Sequence, residues 1–130
     1  MGFKIPAEPN QLLENGTWIP YQDAEFLIAH AGNAKFQRAM ARLQKPFRRK
    51  IEKNEMDPVD QKKILIQAMS EAILLDWRKV EDDEGKAVAY DRKAGQMLLT
   101  NDESFREFVM EFAMDLQNFK DEEKEHEGNS

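Results

Sequence analysis

The 130-residue chain contains no cysteine, so neither a disulfide nor a thiolate-held metal can be built from it. It has no run of 18 or more apolar residues, so no membrane-spanning helix is expected. The opening MGFKIPAEPN lacks an apolar h-region, so no secretory signal is expected either. There are only two histidines, His30 in a strand-like run and His126 in an acidic stretch, and neither sits in a catalytic pattern. No serine or threonine stands in a recognisable nucleophile setting. Gly16, Gly32, Gly85 and Gly95 are isolated, which leaves no phosphate-cradling loop. The acidic EDDEG at 81–85 invites a calcium reading, but the closing glutamate of an EF-hand loop is missing. The twelfth position counted from Glu81 is Arg92, and from Asp82 it is Lys93. These absences predict a protein that is not an enzyme and that holds no metal or cofactor.

What is present is charge, unevenly placed. The net charge is −6, from 19 basic and 25 acidic residues, which argues against a general nucleic-acid binder. Yet Lys35 to Lys53 holds eight basic residues and one acid, Glu52, while Asp121 to Glu127 holds five acids and one lysine. Within the basic segment, Arg42, Lys45, Phe47, Arg48, Arg49 and Lys50 are the candidate partner-binding residues, able to grip an acidic partner or phosphates. The same residues are also what the solvent faces of two short helices would carry if Leu43, Phe47 and Ile51 packed inward. The acidic end could fold back onto this patch.

Hydrophobic spacing sets the expected elements. GTWIPY at 16–21 and QDAEFLIAHA at 22–31 alternate about a turn at Gln22 and Asp23 and predict a β-hairpin, with Pro20 marking an edge. Asn33 is placed to cap a helix over 34–44 carrying Phe36, Ala39, Met40 and Leu43. Pro46 should end or restart that helix, and Phe47 to Lys53 reads as a short second one. Asp57 and Pro58 mark the start of a central helix expected to run to about Trp77. Residues 78–90 read as two extended pieces around an acidic turn. Asp91 caps a further helix, and the last helix carries Phe105, Phe108, Val109, Phe112, Ala113, Leu116 and Phe119.

The predicted fold class is therefore α+β and predominantly helical: an N-terminal hairpin, then about four to five helices, with a short extended loop after the central one. Residues 1–15 are expected to be an irregular arm, 16–120 a single domain, and 121–130 a disordered acidic tail. Trp18, Trp77, Phe105, Phe108 and Phe112 are the expected structural aromatics. Trp77 reads as a core plug at the mouth of the acidic loop, its indole N–H free to cap a carbonyl.

Three stretches together resemble the tail assembly chaperones of bacteriophages with long non-contractile tails. They are ENGTWIPYQDAEFLIAHAGNAKFQRAMARLQKPFRR, AILLDWRKVEDDEGKAVAYDRKAGQMLL and FREFVMEFAMDLQNF, in that order, covering roughly residues 14–119. The resemblance implies a non-enzymatic role in tail morphogenesis. Such proteins bind the tape measure protein, keep it soluble and help recruit major tail protein subunits. In many such phages the contact with the major tail protein runs through a longer frameshifted form. The resemblance also implies action in the host bacterial cytoplasm and absence from the mature virion. Self-association is expected, because reversible coating of a long partner needs many modest contacts. Two other readings stay open: a small nucleic-acid-binding regulator using the basic segment 42–53, and a minor structural protein of the virion.

Overall fold

In Thr17–Tyr21 (β1) and Ala24–Ile28 (β2), side chains alternate between a buried and a half-exposed face, and the two strands pair antiparallel. The two-residue connection places Gln22 at a φ of 53°. The structure is a computed structural model that describes Gly2 and residues 12–120. The expected arm before residue 12 and the expected acidic tail at 121–130 lie outside the described residues, except for Gly2. The end of that arm is not irregular: Leu12–Asn15 makes one helical turn (α1). Pro20 lies on β1, which borders the sheet and can spare the proline's missing N–H.

A third strand, Leu74–Arg78 (β3), pairs antiparallel with β2 to give the order β1-β2-β3. This corrects the expectation of one helix running to Trp77. The central helix, Pro58–Ala72 (α4), starts where Asp57 and Pro58 place it but stops at Ala72. The chain then turns so that the Ala29 N–H donates to the Ile73 carbonyl at 2.8 Å. The pairing Ile28 to Leu74 and Leu27 to Asp76 leaves Leu75 as an extra residue, a β-bulge. Leu74 and Trp77, three apart, therefore both face the core.

Among the described residues five helices follow the hairpin, within the expected four to five. Ala34–Gln44 (α2) is capped by Asn33, and Arg48–Glu52 (α3) follows a 3-10 turn at Lys45–Phe47 that Pro46 introduces. After α4 and β3 come Arg92–Asn101 (α5) and Glu103–Met114 (α6), capped by the carboxylates of Asp91 and Asp102, which accept the N–H groups of Ala94 and Phe105. A closing 3-10 turn spans Leu116–Phe119.

The core lies between the inner sheet face and the helices. Ile19, Phe26 and Trp77 form one cross-strand row, all buried. Phe105 packs against this row with its ring centroid 4.7 Å from that of Phe26. Trp77 is only 7% exposed, and its indole N–H donates to the Val88 carbonyl at 2.8 Å. That bond fastens the returning half of the acidic loop, whose pieces meet through an Asp82–Lys86 and a Val80–Val88 backbone bond. Trp18 lies on the opposite face, with the Arg78 guanidinium 3.7 Å from its ring centre.

Candidate partner-binding surface

The segment singled out for its charge is held by a buried amide. Asn33 accepts the Phe36 N–H at 2.8 Å, and its own NH2 donates to the carbonyls of His30 at 2.6 Å and Ala72 at 3.1 Å. One side chain thus starts α2 and fixes it to the end of α4. The far end is closed by Asn54, whose φ of 56° lets the N–H groups of Asn54 and Glu55 reach back to the carbonyls of Ile51 and Lys50. Between these two asparagines the chain makes a bent limb: α2, the 3-10 turn and α3.

The six candidate residues do not behave alike on this limb. Arg42 bonds to Glu71 of α4, and the other oxygen of that carboxylate takes Arg92 of α5 at 2.9 Å. Arg42 therefore ties helices together. Arg48 reaches Glu52 one turn on, at 3.3 Å, in full solvent, where such a pair is worth little. Lys45, Arg49 and Lys50 are exposed and form no ion pair among the described residues. Phe47 is half-buried beside them, outside the main core.

Next to these cations, α2, α3 and α4 enclose a hollow of about 300 Å³. Met40, Ile51, Met56, Ile64 and Leu65 supply its apolar walls, with Gln44 and Gln61 among the lining residues. Ile51 is 42% exposed, while Ile64 is buried yet stands apart from the main core cluster. The hollow is thus a second apolar locus, flexible through its methionines, and two of its lining residues, Gln44 and Ile51, are chain neighbours of Lys45 and Lys50. Sequence reasoning does not single out Met56 or Ile64 for this surface, because they lie outside the basic run and meet Met40 only in the folded chain.

The end of α6, held at the start of α2, has the reverse character. Met114 and Leu116 are 67% and 52% exposed where α6 gives way to the last 3-10 turn. Beside them Phe108, Glu111, Phe112, Asp115 and Asn118 line a hollow of about 250 Å³. The expected apolar stripe of α6 therefore divides. Phe105, Val109 and Ala113 are buried, Phe108 and Phe112 are half-buried against the core, and Leu116 turns outward because the helix ends at Met114.

The remaining singled-out groups have structural roles. His30 accepts the Gly32 N–H at its Nδ1 and meets the Phe119 ring edge-on at 5.2 Å. His126 lies outside the described residues. In the acidic turn, one oxygen of Asp82 accepts the N–H groups of Glu84 and Lys86, both at 2.9 Å, and Gly85 supplies a φ of 81°. No group of three or more metal-ligating side chains gathers among the described residues. A further hollow, about 600 Å³, runs under the β1–β2 turn past Lys79, Asp82 and Asp102. Two of its carboxylates, Asp82 and Asp102, already hold backbone N–H groups. Tyr90 donates to the Leu74 carbonyl at 2.7 Å, and burial, aided by the Asp76 charge, raises its pKa above the ordinary 10.0. No described helix is long and apolar enough to cross a membrane.

Comparison with known proteins yields one family. A model described as YdaY prophage protein matches residues 31–129, which takes in the limb, the central helix, β3 and α6. No curated protein and no solved structure matches the chain.

Proposed function

The chain belongs to the YdaY prophage protein family, and from that premise we propose that it is a tail assembly chaperone, acting by binding rather than by chemistry. Its client would be the tape measure protein, a long chain with exposed apolar helical segments. It would keep that client soluble in the host cytoplasm, help recruit tail tube subunits, and be absent from the finished particle. Contact with the major tail protein would run through a longer, frameshifted form.

The observation that carries this reading is the pairing of a methionine-lined apolar hollow with unpaired cations in a phage-derived protein. A helix with one apolar face can seat side chains against Met40, Ile51 and Met56. Lys45, Arg49 and Lys50 would meet acidic groups flanking that face. Methionine walls re-pack cheaply around different side chains, which suits a client that offers many similar segments in turn.

The test is co-expression of the tagged chain with the tape measure protein encoded in the same prophage. Retention of a client that is insoluble alone is the expected result. A client that stays insoluble and unbound would reject the proposal. Recovery of the chain from purified particles would replace it with a structural role in the virion. The exposed cations also favour a second reading, nucleic-acid binding. It predicts DNA affinity that falls steeply with salt, roughly in proportion to the phosphates contacted.

A further inference from the structure

We propose that the hollow between α2, α3 and α4 takes the outer end of α6 from a second copy of this chain, so that free molecules associate head to tail. The two surfaces complement each other in both apolar shape and charge. Residues 35–63 hold ten basic and four acidic residues, a net +6, whereas residues 101–120 hold two basic and five acidic, a net −3. The segment that carries this positive charge supplies the apolar walls Met40, Ile51 and Met56 of the cavity, which Ile64 completes. The negative region presents exposed apolar side chains, Met114 and Leu116, beside Glu111 and Asp115.

One chain cannot bring these surfaces together. The Ala31 N–H donates to the Ala113 carbonyl at 2.8 Å, which fixes the end of α6 at the start of α2. The hollow lies along the second half of α2, where Met40 and Gln44 line it, about 9 to 15 Å from the helix start at 1.5 Å per residue. The sequence beyond residue 120, DEEKEHEGNS, offers charge but no apolar side chain to fill the cavity. A second copy offers both. The contact is heterologous, so a joined pair keeps one free hollow and one free α6 end, and association proceeds to open chains or rings rather than stopping at two. This inference uses surfaces of the chain alone and does not depend on the identity of any client.

Sedimentation velocity on the full chain over a range of concentrations tests it. The expected result is a concentration-dependent series beyond the dimer that shrinks as salt rises. Two double variants, R49E with K50E and M114S with L116S, change only exposed positions and should each weaken association about tenfold. The deciding measurement mixes the two. Each retains one intact surface, so a head-to-tail contact predicts a 1:1 complex that grows no further. Wild-type monomers at every concentration would overturn the proposal. So would variants that fail both alone and together, which marks a self-facing contact, or variants that associate like wild type. Loss of association on removing residues 121–130 would make that segment the occupant and overturn it as well.

Discussion

Around Trp77 the chain is aromatic, dry and fully bonded. Its ring meets Phe26 and Tyr90 edge-on at 6.2 and 5.1 Å, and its only polar atom is bonded to Val88. Around Ile51 the chain is aliphatic, methionine-rich and open, with charged groups that face nothing within the described residues. The two regions share α4, which lends Ile66, Met69 and Ala72 to the first and Ile64 and Leu65 to the second. A rigid aromatic core fixes one conformation, because ring contacts are directional and any void is costly. A shallow aliphatic hollow adds little to the stability of the lone chain and leaves apolar area to be covered by something else. The contrast assigns stability to one region and, under the proposed function, recognition to the other.

The largest expected effect comes from attacking the core. Trp77→Ala removes the ring at the β3 end of the row and strands the Val88 carbonyl, and should cost about 3–5 kcal/mol, read as a lowered urea midpoint. A variant of normal stability with impaired partner binding would reverse the assignment of regions. Next is Asn33→Ala, at the joint between them. It deletes the α2 cap and leaves the Ala72 carbonyl unpaired, for an expected loss of about 2 kcal/mol. Hydrogen exchange should show α2 opening before the sheet does. On the recognition side, Lys45, Arg49 and Lys50 changed together to Glu should shift stability by no more than about 0.5 kcal/mol while abolishing client retention. A large stability change there would mean that the limb is part of the core after all.

The smallest effect concerns Tyr90. Its neutral hydroxyl is favoured in the fold, so its pKa is raised relative to the unfolded chain. Its contribution is complete below pH 10.0 and is lost as pH rises through the raised folded value. Tyr90→Phe should lower stability by about 1 kcal/mol at neutral pH and flatten the decline above pH 10.0, as measured by denaturant midpoints across that range.

Most of the architecture was legible because local signals agreed with tertiary demand. Asn33, Asp57, Asp91 and Asp102 each sit where a short acceptor precedes an apolar period, and each caps a helix. β3 was not legible, for a specific reason. Its bulge puts Leu74 and Trp77 three residues apart on one side, and a spacing of three following an established helix reads as more helix. Only pairing with β2, some fifty residues earlier, decides the matter, and that pairing leaves no mark in the local pattern. The positive half of the candidate surface was visible as a run of cations. Its apolar half was not, because Met40, Met56 and Ile64 come from three places in the chain and converge only once α2 and α4 pack. The division of the α6 stripe was hidden in the same way, since periodicity continues past Met114 while the helix does not.

The hydrogen bond from Ala29 to Ile73 marks a neck. Residues 30–72 leave the sheet there and return to it at the same point, and they include the entire limb. Under the proposed function, a gene that follows a changing client could therefore rebuild the stretch from Lys45 to Met56 as a cassette, altering its length or composition, without re-laying a strand. Insertions and exchanges accepted within that cassette and rejected at its neck would be the evolutionary imprint of this topology.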